Sequence, residues 1–154
     1  MYIKRILTCI AVLCMINFCT QAQTSSLTVR DLPKITTEQQ YKELLSQLNR
    51  PLVITYDMSS CYPSLIYKRR VLLFMYENYP ELADYYTLDI KLASTKNITD
   101  RFGIERVPVT QVVYNKNGDG LFTKVGFSIL DESKARNELK YLIIRADELI
   151  RKNQ

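Results

Sequence analysis

The chemistry this chain can do centres on one thiol and the residues beside it. Cys61-Tyr62-Pro63-Ser64 follows a short apolar run, Leu52 to Tyr56, and a small-residue turn at Ser59-Ser60. The pattern beyond predicts a helix from about residue 62, which sets the sulfur at a helix N-terminus. Backbone N–H groups without intrahelical partners and the positive end of the helix dipole meet there. Both favour the thiolate, the form of cysteine that attacks disulfides. Ser64, one turn later, is spaced to hydrogen-bond that thiolate. Pro63 suits the first turn because no N–H is needed there. Each residue also has a purely structural reading: Cys61 as an inert small hydrophobe, Ser64 as an ordinary first-turn residue.

Composition removes other chemistries. The chain has 154 residues and no histidine. That excludes a His-based triad, a His metal site and an imidazole proton shuttle. Asp84, Asp147 and Glu148 fall in no metal-ligand grouping, so no metal is expected, and no cofactor. Apolar residues at 47% and charged residues at 24% are an ordinary globular mix, one domain's worth. The formal net charge of +5, with Lys4 and Arg5 supplying two of it, is too mild to imply nucleic acid.

Met1 to Ala22 reads as a secretory signal peptide. Lys4 and Arg5 form its positive start, Ile6 to Phe18 its mostly apolar centre, and Thr20-Gln21-Ala22 a cleavage site with small residues at −3 and −1. An uncleaved N-terminal anchor and a lipid-anchored Cys19 are the alternatives, the second disfavoured by bulky Phe18. Cleavage removes Cys9, Cys14 and Cys19 and leaves no stable membrane span. The protein is then exported: periplasmic or in the cell envelope, alternatively secreted. Cys61 remains as a lone thiol where disulfides form, so it is buried, reactive, or paired with another molecule.

Residues 23–35 read as a polar lead and residues 36–152 as the domain. Thr36 or Thr37 with Gln39 or Gln40 resembles a capping box ahead of a helix carrying Tyr41, Leu44, Leu45 and Leu48. Leu52 to Tyr56 predicts a buried strand. A long helix is expected over 62–78, with Leu65, Leu72, Met75, Tyr76 and Tyr79 on or near one face. A strand is expected over 85–90, and a short helix over 94–102 closed by Gly103. A hairpin joins 109–114 to 121–127 through Asn115-Lys116-Asn117-Gly118-Asp119-Gly120. A terminal helix spans 131–152, with Ala135, Leu139, Leu142, Ala146, Leu149 and Ile150 inward. Strands alternating with helices predict an α/β fold around a central mixed sheet. Lys68-Arg69-Arg70 reads as a solvated helix face, and Tyr76, Tyr79, Tyr85 and Tyr86 as core and rim packing.

From about residue 36 to 150 the chain resembles thioredoxin-fold proteins. The resemblance is carried by the strand leading into Cys61-Tyr62-Pro63-Ser64, by Leu88-Asp89-Ile90, by Phe102-Gly103-Ile104-Glu105-Arg106-Val107-Pro108-Val109, and by Lys124-Val125-Gly126. It implies a thioredoxin-like fold, a central mixed sheet flanked by helices, with a cis peptide at Pro108. It also implies a substrate surface at Tyr62, Pro63, Val107 and Pro108, where an extended client pairs with the free backbone of Val107. The sequence departs from the family's C-x-x-C motif: Ser60 precedes Cys61, Ser64 replaces the second cysteine, and Thr55 stands where many thioredoxins bury an acidic residue. Monothiol glutaredoxins bind glutathione and an iron–sulfur cluster, but their motif differs at both inner positions. The function expected is thiol–disulfide exchange by Cys61 and Ser64 with cysteine-containing exported proteins or a small thiol, by a mixed disulfide or isomerase-like. The alternatives are a redox-inactive binding or adaptor module and, less favoured, a structural subunit of an envelope complex.

Overall fold

The structure, a computed structural model, describes residues 27–123 and 131–153. The signal peptide, Cys9, Cys14, Cys19 and Lys124-Val125-Gly126 lie outside the described residues. The elements run α1 (Glu38–Ser46), β1 (Leu52–Asp57), α2, β2 (Asp84–Asp89), α3 (Lys96–Arg101, after a 3-10 turn at Ala93–Thr95), β3 (Val109–Val113), β4 (Gly120–Phe122) and α4 (Glu132–Lys152). Helix α2 is continuous but has three stretches: α-helical Tyr62–Tyr67, a π turn at Lys68–Leu72, and α-helical Leu73–Asn78.

The strands order β2-β1-β3-β4, with β1 parallel to β2 and antiparallel to β3. This is the mixed sheet the alternation of elements predicts. Every residue of β1 is buried, so its backbone groups must be paired on both edges. Its side chains alternate between two cores. Val53 packs with Val71, Leu72 and Met75 of α2 and with Leu139 and Ile143 of α4. Leu52, Ile54 and Tyr56 pack on the other face with Tyr41 and Leu45 of α1 and with Ile98 of α3.

Local chemistry sets the element ends. Thr37 caps α1 by accepting the Gln40 N–H at 3.1 Å, while the Gln40 side-chain oxygen accepts the Thr36 N–H at 2.9 Å. Asp131 caps α4 through the Lys134 N–H. Gly103 and Gly118 take positive φ, +59° and +82°. Asn115 Oδ1 accepts from the N–H groups of Asn117 and Asp119 and closes the hairpin turn.

Three details depart from the sequence expectation. Leu65 is 46% exposed rather than sharing a face with Leu72 and Met75. The π turn between them adds a residue to one turn, which rotates the following face by about 100°. In α4, Ile143 is buried where Leu142 was expected, while Leu142 and Leu149 are half-buried. Residues 33–35 pack against the edge of β2 rather than trailing: Ile35 N–H donates to Thr87 O, Thr87 N–H donates to Pro33 O, and Leu32 and Ile35 are buried.

The two positive-φ glycines give an expected ranking. A Cβ at Gly118 would sit 2.5 Å from the Tyr41 hydroxyl, whereas one at Gly103 meets nothing within 4 Å. Gly103→Ala should cost about 1–2 kcal/mol from backbone strain alone. Gly118→Ala should cost more, because Tyr41 must also move. Urea unfolding of both variants checks the order.

Candidate functional site

The register places the chemistry. Tyr56 of β1 pairs with Val109 of β3, so the C-terminal end of β1 lies beside the start of β3. Cys61 leaves the first of these ends and Pro108 enters the second. The Val107–Pro108 peptide is cis, as the resemblance implies. Asp57 pairs with Asp89, which brings the end of β2 to the same edge. Cys61, the proline loop and the ends of three strands therefore share one end of the sheet.

Cys61 is the N-cap of α2, with φ −90° and ψ 110°. Its N–H donates to Met58 O at 2.9 Å and its carbonyl accepts the Leu65 N–H at 3.1 Å. Its thiol is free, and the residue is half-buried. Around it Tyr62, Pro63 and Leu65 are exposed. Among the described residues, the Val107 N–H and C=O have no backbone partner. A groove of about 290 Å³ runs beside them, lined by Gly103, Ile104, Glu105, Arg106 and Val109.

The hydrogen bond expected between Ser64 and the thiolate is not made. Ser64 is fully buried, and its hydroxyl has no hydrogen-bond partner. The helix turns Ser64 toward the sheet while Cys61, at its start, stays near the surface. Beneath the helix lies a buried hydroxyl chain: Thr55 Oγ1 is 2.9 Å from Thr110 Oγ1, and Thr110 donates to the Tyr67 hydroxyl at 3.0 Å. Burial pushes the Tyr67 phenol up to about 12. Thr55 is thus an uncharged member of a network joining β1, β3 and α2.

The buried carboxylate of this site lies two residues further on, at Asp57. Its partner is Lys68, at 2.8 Å, with side chains only 5% and 14% exposed. This corrects the expectation for Lys68, which is no part of a solvated face. Arg69 and Arg70 are exposed, and Arg70 pairs with Glu132 at 2.6 Å. Burial raises the Asp57 carboxyl above its ordinary value, against the opposing pull of Lys68. Sequence alone gave two signals for this pair: an Asp closing an apolar strand, and a Lys on the helix that returns over it. The tyrosines fall where packing places them, with Tyr85 buried and Tyr76, Tyr79 and Tyr86 partly so. Among the described residues no group of three His, Cys, Asp or Glu side chains comes together, and no helix is long and apolar enough to cross a membrane.

Three expected outcomes rest on these burials. Lys68→Met strands a buried carboxylate and should destabilise the fold by about 3–5 kcal/mol, while Asp57→Leu/Lys68→Met should recover most of the loss. Because folding raises the Asp57 carboxyl, its protonated form is favoured in the native state. Its contribution is therefore most favourable at low pH and is lost as pH rises through the raised value. Without Lys68 that decline should steepen, read as urea midpoints from about pH 4 to 7. Ser64→Ala removes an unsatisfied buried hydroxyl and should raise stability by roughly 1 kcal/mol in the same assay.

No family model matches the chain, and no curated protein does. Solved structures do. One comes from work on thiol resolution in a yeast mitochondrial 1-Cys peroxiredoxin through glutathione and thioredoxin systems; it is 19% identical, with a TM-score of 0.59 over 75% of this chain and 100% of that one. Oxidised mitochondrial thioredoxin 3 from Saccharomyces cerevisiae is 18% identical, with a TM-score of 0.58 over 74% of this chain and 98% of that one. Oxidised thioredoxin O1 from Arabidopsis thaliana is 19% identical, with a TM-score of 0.58 over 73% and 97%. The chain has a thioredoxin-like α/β fold, a mixed sheet flanked by helices, with Cys61 and the cis proline at one end of it.

Proposed function

We propose that this protein carries out thiol–disulfide exchange through Cys61 on exported, cysteine-containing proteins. The observation that carries the reading is a free thiol on a half-buried residue at a helix N-terminus, on the same sheet end as the cis Val107–Pro108 turn. The thiolate attacks one sulfur of a client disulfide. A bond forms between Cys61 Sγ and that sulfur, and the other client sulfur leaves as a thiolate. The client strand lies along Val107 and Pro108 and is flanked by Tyr62 and Pro63. Ser64 occupies the place of a resolving thiol and supplies none, so release needs a second client cysteine or an outside thiol. The yeast neighbour studied for glutathione- and thioredoxin-dependent resolution of a one-cysteine enzyme gives that second route a parallel.

A binding module using the same groove without sulfur chemistry is the rival. Incubation with scrambled ribonuclease separates the two. Exchange predicts a covalent adduct, seen as an added mass that dithiothreitol removes, and none with Cys61→Ala. It also predicts that iodoacetamide alkylates Cys61 at neutral pH faster than it alkylates free cysteine. Equal ribonuclease retention by wild type and Cys61→Ala, without a covalent species, favours the module. N-terminal sequencing of protein exported by an expressing bacterium should begin at Gln23.

A further inference from the structure

Resting on the exchange reading above, we propose that a charged cavity on the β2 flank of Cys61 binds the α-amino-acid head of a small thiol. That thiol, cysteine or the γ-glutamyl end of glutathione, supplies the resolving sulfur the site lacks.

The cavity measures about 170 Å³ and is lined by Lys34, Asp57, Ser59, Lys68, Thr87 and Asp89, among others. It has room for roughly six waters, about the bulk of one small amino acid. Ser59 is two residues from Cys61, so their Cα atoms are no more than about 7 Å apart. The proline loop enters β3, while Thr87 and Asp89 belong to β2, on the opposite side of β1. A client on the first flank leaves the second open.

The charges select the ligand. Two cations, Lys34 and Lys68, and two anions, Asp57 and Asp89, surround one small space. A lone anion or a lone cation meets a like charge there. A zwitterion with ammonium and carboxylate on one carbon meets an opposite charge at both ends. The Asp57–Lys68 pair is buried at 2.8 Å, an arrangement whose desolvation cost makes it a weak source of stability. Its carboxylate faces the ligand ammonium and its ammonium the ligand carboxylate.

The reaction balances with two such thiols. The first thiolate attacks Cys61 Sγ in the mixed disulfide, forms a new S–S bond, and releases the client sulfur as a thiolate that takes the proton. A second thiolate attacks the small thiol's sulfur in that adduct, which frees Cys61 and yields the oxidised small-molecule disulfide. The client disulfide is reduced by two electrons and two small thiols are oxidised.

The test loads Cys61 with thionitrobenzoate and follows its release, with rates compared per thiolate. Cysteine, or glutathione if its head is the ligand, should show saturation, and the one saturating at lower concentration identifies the source. Cysteamine, 3-mercaptopropionate and 2-mercaptoethanol should stay linear. Lys34→Ala, at an exposed position, and the double Asp57→Leu/Lys68→Met variant should lower the cysteine-to-mercaptoethanol rate ratio by about tenfold. Linear release by every thiol, or an unchanged ratio in both variants, overturns the proposal. L-Serine titrated into Cys61→Ser, followed by amide shifts, separates the two ideas. Shifts at Ser59, Thr87 and Asp89 together with a wild-type thiol that never exchanges keep the site and sink the exchange reading. Exchange without saturation or shifts sinks the site alone.

Discussion

A strand buried on both faces has no water to satisfy its backbone, so β1 must be paired along its whole length on both edges. That requirement locks two registers at once: Tyr56 against Val109 and Asp57 against Asp89. The consequence reaches beyond stability. Three chain ends with no sequence proximity, the Cys61 turn, the proline loop and the start of the segment after β2, are held at one edge by hydrogen bonds that cannot slip by one residue without turning the core inside out. The position of the thiol is thus fixed by the pairing of a strand that does not carry it.

The polar groups under the Cys61 helix show three different solutions to burial. Thr55, Thr110 and Tyr67 satisfy one another without charge. Asp57 and Lys68 satisfy one another with charge, at the foot of the turn that carries the thiol. Ser64 is left unsatisfied. Buried, unpaired polar groups are rare in folded proteins, and each asks for an explanation. Here the fold buries a hydroxyl one turn into the Cys61 helix without building it a partner. The charged pair, meanwhile, lies at the end of β1, where a cavity reaches it.

Much of this was readable in the residues. The order of elements along the chain, the capping of α1 by Thr37, the hairpin at Gly118 and the cis bond at Pro108 all rest on local chemistry or on a motif, and local chemistry is what a sequence displays. What was hidden depends on geometry between distant segments. Leu65 faces solvent because a π turn shifts the helix phase, and no periodicity computed at 3.6 residues per turn reveals an inserted residue. Lys68 looked solvated because its two neighbours are arginines; only the fold shows that it alone of the three turns back to Asp57. Leu142-Ile143-Ile144 offers three apolar candidates for one inward position, and packing against Val53 and Val112 decides for Ile143. Residues 33–35 carry too few apolar side chains to read as a strand, yet they pair with Thr87.

Cys61 is the one cysteine among the described residues. Among the described residues, then, no thiol is placed to break a covalent bond that this sulfur makes. In a two-cysteine protein the partner thiol acts as an internal timer, ejecting the bound molecule on a schedule set by the fold. On the exchange reading the described fold supplies no such timer, and how long an adduct persists becomes a readout of the ambient supply of reductant.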